Sequence, residues 1–116
     1  MTEMGRLLER IRQMHDCIVT PPRGQPLLRA NDRLPDDLAE FYGYVGSVSL
    51  FEHGIYPVRV VGPEGLARAN LEIVGADCPD DISDSWYIVA RGGREEAISI
   101  DCSPERLGRC HDSFWD

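Results

Sequence analysis

The sequence has no lysine; all twelve of its basic residues are arginine. That absence reads as a compositional bias and excludes no chemistry by itself. Basic charge is scarce overall, twelve residues against twenty acids, for a formal charge of −8. A nucleic-acid binder needs a basic patch to meet the phosphate backbone, so the composition argues against that class. No run approaches the roughly eighteen consecutive apolar residues of a membrane span. The N-terminus is charged from Glu3 onward and has no apolar leader core, so a cytoplasmic protein is expected. Its cysteines, Cys17, Cys78, Cys102 and Cys110, are then expected to be thiols. A Gly-rich phosphate loop, a nucleophile-elbow serine and a His-Glu-x-x-His pair are all missing, which counts against the common enzyme classes. There is no repeat, low-complexity tract or linker, and the length fits one domain over residues 1–116.

What charge there is lies unevenly. Residues 1–33 carry six Arg and four acids, whereas residues 34–116 carry six Arg and sixteen acids. An acidic body suits a basic protein partner, or simply a well-solvated surface.

Along the chain, Met4, Leu7, Leu8, Ile11 and Met14 repeat at helical spacing, so residues 3–16 read as an amphipathic helix that Thr2 can cap. Residues 20–33 hold three prolines and a glycine and read as a connection, with Leu27 and Leu28 as pins to the core. A second helix opens at Pro35-Asp36-Asp37 and presents Leu34, Leu38, Phe41, Tyr42 and Val45. Gly46 is placed to end it in a left-handed cap, and Gly43 within it suggests a close backbone contact.

Strands follow at 47–51 and 56–61, turned by Glu52-His53-Gly54. Pro57 marks its strand as edge-like. Residues 66–73 read as a short helix or an irregular segment. The strongest signal is 84–101, two β-rich runs around Gly92-Gly93, which predicts a hairpin. Its alternation puts Trp86, Ile88 and Ala90 on one face and Tyr87, Val89 and Arg91 on the other. Trp86 is expected to anchor the core, leaving Tyr87 on a partly wet face. Residues 107–111 can form a last strand. The fold expected is α+β, with two N-terminal helices packed on one face of a mainly antiparallel sheet of about five strands.

Chemistry-bearing residues occur in three groups. Cys102, Cys110 and His111, with Cys78, are zinc-ligand types but lack the Cys-x-x-Cys spacing that fixes two ligands together. Asp77, Asp80, Asp81 and Asp84 lack the alternating spacing and glycine of a calcium loop and read as a solvated or partner-facing acidic loop. Asp101, Cys102 and His111 can be arranged on paper as orienter, nucleophile and base, with nothing in the spacing requiring it. No cofactor or metal is expected.

The order of motifs resembles the SUKH superfamily, in its Smi/Knr type. Leu34-Pro35-Asp36-Asp37-Leu38 with Phe41-Tyr42 is similar to that family's leucine-proline-led helix. Gly46 followed by Val48-Ser49-Leu50-Phe51 is similar to its glycine-then-strand step. The run from Asp81 through Trp86 to Ala90, with residues 97–101, is similar to its tryptophan-bearing hairpin, and 106–112 to its closing strand. Two departures stand out. The step Val45-Gly46-Ser47 lacks the asparagine often found before the glycine, and the sequence stops at Asp116, where members usually run on into a C-terminal helix or two, so either this is a short form or the sequence lacks its end. The resemblance implies a fold without catalysis, and in many bacterial members an immunity protein that neutralises a toxin, often a nuclease. The alternatives are an adaptor or regulatory module with no toxin, and a small hydrolase or metal protein. For a toxin-binding protein, the expected rim acids are Asp80, Asp81, Asp84, Glu95 and Glu96 around Tyr87 as anchor, facing a basic toxin domain. The sequence sets neither stoichiometry nor partner identity.

Overall fold

In the computed structural model, which describes residues 2–93 and 96–112, the first helix α1 spans Glu3–Arg12. Thr2 caps it, its hydroxyl accepting from the Gly5 amide at 3.1 Å. Such a cap satisfies one of the orphan donors of the first turn. The helix stops short of residue 16, and only Leu8 of its apolar stripe is buried, with Met4 and Ile11 half-buried against the core. Leu7 and Met14 remain exposed, because α2 and the sheet cover a narrower stripe than the periodicity offers.

Helix α2 spans Asp36–Tyr44, with Pro35 at its N-cap and two aspartates in its first turn. Its buried Leu38, Phe41 and Tyr42 meet the sheet, and the Tyr42 hydroxyl donates to the Val61 carbonyl at 2.6 Å. The helix ends through an extended Val45, and Gly46 is not left-handed. Gly46 is required for another reason: a Cβ there would overlap the Pro21 carbonyl oxygen, and its amide donates to the Thr20 carbonyl at 3.0 Å. Gly43, expected to mark a close contact, faces open space. The proline-rich segment is a coil in which Leu28 packs on the core, while Leu27 points away, 96% exposed.

The described residues form one sheet of seven strands, antiparallel at every pairing. These are β1 (Ile18–Val19), β2 (Val48–Leu50), β3 (Val58–Val60), β4 (Ala67–Arg68), β5 (Trp86–Arg91), β6 (Ala97–Asp101) and β7 (Cys110–Asp112). They run in the order β1-β2-β3-β5-β6-β7. β3 and β4 both pair with β5, β3 at Arg91 and Ala90 and β4 at Ile88 and Tyr87. They are one lane of the sheet, broken by a tight turn at Pro63–Gly65. The count exceeds five because β1 and β4 are two residues each, too short for an alternating pattern to show. Beyond β4, Asn70–Val74 forms a π-helical turn and Ile82–Ser85 a 3₁₀ turn.

β5 and β6 make the expected central hairpin, with a bulge at Val89. Arg91 pairs with Ala97, so the connection runs over 92–96 and is longer than a Gly-Gly turn. The assignment of its faces is reversed. Tyr87, Ile100 and Cys102 join Leu8, Leu38, Phe41, Tyr42, Val45 and Val48 in the main core, under the two helices. Trp86 instead lies half-buried beside a smaller cluster of Ala69, Ile88 and Ala97 on the opposite face. The helices cover the face of Tyr87, Ile100 and Cys102, while Trp86 shares the other face with Ile88 and Ala97.

Candidate functional site

The loop before β5 carries the expected acids. Asp80 and Asp81 are exposed. Asp81 starts the 3₁₀ turn, accepting from the Ser83 amide and hydroxyl, both at 3.0 Å. The bond from the backbone amide holds its carboxyl below the usual range. Asp84 is spoken for within the fold. It accepts from Arg29 at 3.2 Å and from Arg68 at 2.9 Å. Arg68 also grips Asp77 at 2.6 Å.

This chain of charges continues inward to Asp32, whose side chain is 1% exposed. Asp32 accepts from Arg29 Nε at 2.9 Å, Ser85 Oγ at 2.7 Å and the Tyr87 hydroxyl at 2.6 Å. Burial alone would raise its pKa; the hydrogen bonds from Arg29, Ser85 and Tyr87 outweigh that and keep it low. The Tyr87 hydroxyl in turn accepts from the Arg29 amide at 3.1 Å. Tyr87 is 3% exposed and cannot serve as a surface anchor, because its ring fills the core and its hydroxyl is committed to Asp32. This network ties the proline-rich segment to β4 and β5. Arg29, Asp32 and Arg68 carry no motif, and nothing in their spacing announces it; partners 55 residues apart are joined only by folding.

Glu96 lies at the other end of β5. A strand of six residues separates it from the Asp80–Asp84 loop, a distance on the order of 20 Å. The structure therefore does not bring the two groups of acids together. Glu95 lies outside the described residues. Glu96 is half-buried and forms a wall of a groove of about 450 Å³, with Ile55, Tyr56, Pro57, Val58 and Gly93.

The residues imagined as a catalytic set are not assembled. Asp101 is fully buried and accepts from Trp86 Nε1 at 3.1 Å, Arg106 Nε at 3.1 Å and the Ser103 amide at 2.9 Å. Burial pushes its carboxyl up, and the donors, the Ser103 amide foremost, overcome this and hold it low. His111 stacks on Trp86, centroids 3.9 Å apart, and Asp101 is not its partner. Cys102 sits in the main core, where burial, aided by Asp32 and Asp101, pushes the thiol up to about 12. A thiol so held is protonated at neutral pH and is no nucleophile. Among the described residues, no three His, Cys, Asp or Glu side chains are grouped to hold a metal ion. No helix among them is long and apolar enough to cross a membrane.

What the arrangement offers is surface: exposed acids at one end of β5, and at the other a groove of apolar residues with one carboxylate. Comparison with known proteins places this surface in context. No family model matches the sequence, and no solved structure matches it. Over 110 residues it is 39% identical to Immunity protein YokJ of Bacillus subtilis (strain 168), a match covering 95% of this chain and 67% of that one. At that identity over nearly its whole length, the chain belongs to the family of the immunity protein YokJ.

Proposed function

We infer that this protein is a SUKH-type immunity protein that neutralises a cognate bacterial toxin by binding it, without catalysis of its own. The observation that carries the reading is the 39% identity to an immunity protein across 95% of the chain. The order of the leucine-proline helix, glycine step and tryptophan hairpin supports the SUKH assignment. The charge supports a basic partner. A nuclease toxin must present cationic groups to nucleic-acid phosphates, and a body with sixteen acids against six Arg over residues 34–116 complements it. Asp80 and Asp81, exposed, act on encounter: they raise the association rate through the field, whether or not they touch the bound toxin. Asp84 is paired with Arg29 and Arg68, which it shares with Asp32 and Asp77, so it is less free than Asp80 and Asp81 to act on encounter.

The test is co-expression. A toxin that co-purifies with this chain from its source cells is induced in a susceptible host with and without this chain. Protection of growth, together with a 1:1 or other defined complex on size-exclusion chromatography, supports the reading. Equal killing in both cultures sinks it. Stopped-flow association at two salt concentrations then tests the acids: Asp80→Asn with Asp81→Asn lowers the rate and flattens its salt dependence.

A further inference from the structure

The connection between β2 and β3 is built to present side chains outward. Residues 51–57 are all exposed, and Ile55 and Tyr56 are 88% and 78% exposed, packing on neither core cluster. Such a loop would ordinarily be polar; a large aliphatic and a large aromatic residue side by side at a tip need a reason outside the fold. The loop base is held rigidly. The Glu52 amide donates to the Asp16 carbonyl at 3.0 Å, the His53 amide to Asp16 Oδ1 at 2.9 Å, and the Gly54 amide to the Phe51 carbonyl at 2.8 Å. Phe51 is held at φ 55°, left-handed backbone that a bulky residue avoids, and it is the single described non-glycine residue there. Strain kept in place by surrounding bonds is a feature of binding loops.

Beside the tip lie Gly93 and Glu96. Glu96 lines the groove together with Pro57 and Val58, and among the described residues its carboxylate makes no hydrogen bond or ion pair. An aromatic ring, an aliphatic side chain and a carboxylate unpaired among the described residues, all around one groove, are what a basic side chain with a long apolar stem requires. Such a stem would lie on Tyr56 and Ile55, and its cationic head would reach Glu96. A second exposed apolar group, Leu71, Val74 and Ile82, lies on the Asp80–Asp84 side. None of these three residues is aromatic, and anchors of binding energy are enriched in Tyr, Trp and Arg over Leu and Val.

We propose that the β2–β3 tip, Ile55 and Tyr56 with Glu96, is the anchor of the toxin interface and receives an arginine or lysine side chain of the toxin. This rests on the immunity reading and adds the site and the chemistry of the contact. The steering acids sit at the far end of β5 and govern rate; the tip governs dissociation.

The probe is the active domain of the toxin that co-purifies with this chain, prepared in an inactive form, with binding to the full chain followed by surface plasmon resonance. Tyr56→Ala and Ile55→Ala each raise the dissociation rate at least tenfold, and Glu96→Gln raises it about fivefold. Leu71→Ala, Ile82→Ala and Asp80→Asn leave it within twofold. All are surface changes, and circular-dichroism melts confirm that each variant is folded. If the unaltered chain binds but Tyr56→Ala, Ile55→Ala and Glu96→Gln dissociate like it, the anchor is elsewhere and the proposal is overturned while the immunity reading stands. The same holds if Tyr56→Ala alters only the chain's own oligomeric state, which assigns the tip to a second copy. If the unaltered chain does not bind the toxin at all, the immunity reading fails and takes the anchor with it.

Discussion

Replacing Asp32 with alanine removes the acceptor on which three donors converge: Arg29, Ser85 and Tyr87. Hydrogen bonds to a charged group contribute about 1.5–3 kcal/mol each, and breaking a buried pair by removing one partner costs about 3–5 kcal/mol. Two facts reduce the total here. Arg29 is 35% exposed, so water screens its loss, and it keeps Asp84 as a second partner. The expected loss is about 3 kcal/mol, most of it from the stranded Tyr87 and Ser85 hydroxyls in the part-buried site. With a urea slope of about 1.5 kcal/mol per molar, the unfolding midpoint falls by about 2 M. Asp32→Asn keeps an acceptor without the charge and loses about half as much. The pH dependence has a definite sign. The folded pKa of Asp32 lies below its unfolded value, so its contribution is present above that value, about 4, and is lost as pH falls through the folded pKa. The gap between the natural chain and Asp32→Ala therefore narrows as the pH falls from about 5 to about 3. Urea melts read by far-ultraviolet circular dichroism at both ends of that range decide it. A loss below about 1 kcal/mol at pH 7, or a gap unchanged on acidification, would refute the network as a source of stability.

Other outcomes follow from the same geometry. Tyr87→Phe costs about 1–2 kcal/mol in a urea melt but leaves toxin affinity unchanged, since the ring is internal; a tenfold loss of affinity in a folded variant would restore Tyr87 as an anchor. Gly43→Ala stabilises by about 1 kcal/mol, because the site is helical and open. Gly46→Ala destabilises by about 1–3 kcal/mol, because its Cβ meets the Pro21 backbone; thermal melts of the pair should move in opposite directions. With iodoacetamide at pH 8, exposed Cys110 is alkylated first, while Cys102 is labelled only after denaturation; peptide mass mapping shows the order.

Much of the architecture is readable in the residues. The cap at Thr2, the Pro35-Asp36-Asp37 start of α2 and the β-rich runs around Gly92-Gly93 are local signals that act within a few residues, and each element forms where its signal lies. The two-residue strands β1 and β4 are invisible, since pairing with a neighbour, and not propensity, makes them strands. The surface acids were nameable as acids. Which of them are free was not, because Asp84 is paired with arginines 16 and 55 residues away in the chain.

The alternation of residues 86–91 determined that Trp86 and Tyr87 must part company across the sheet. It could not determine which of the two faces the helices, since either choice satisfies a period of two. That was decided by how α1 and α2 pack, over the face of Tyr87, Ile100 and Cys102, which turns Tyr87 inward, where Asp32 meets it. The same holds for the β2–β3 loop. Its sequence specifies Ile55 and Tyr56, but only the packing around Asp16 and Glu96 leaves them outside, with a groove at their side.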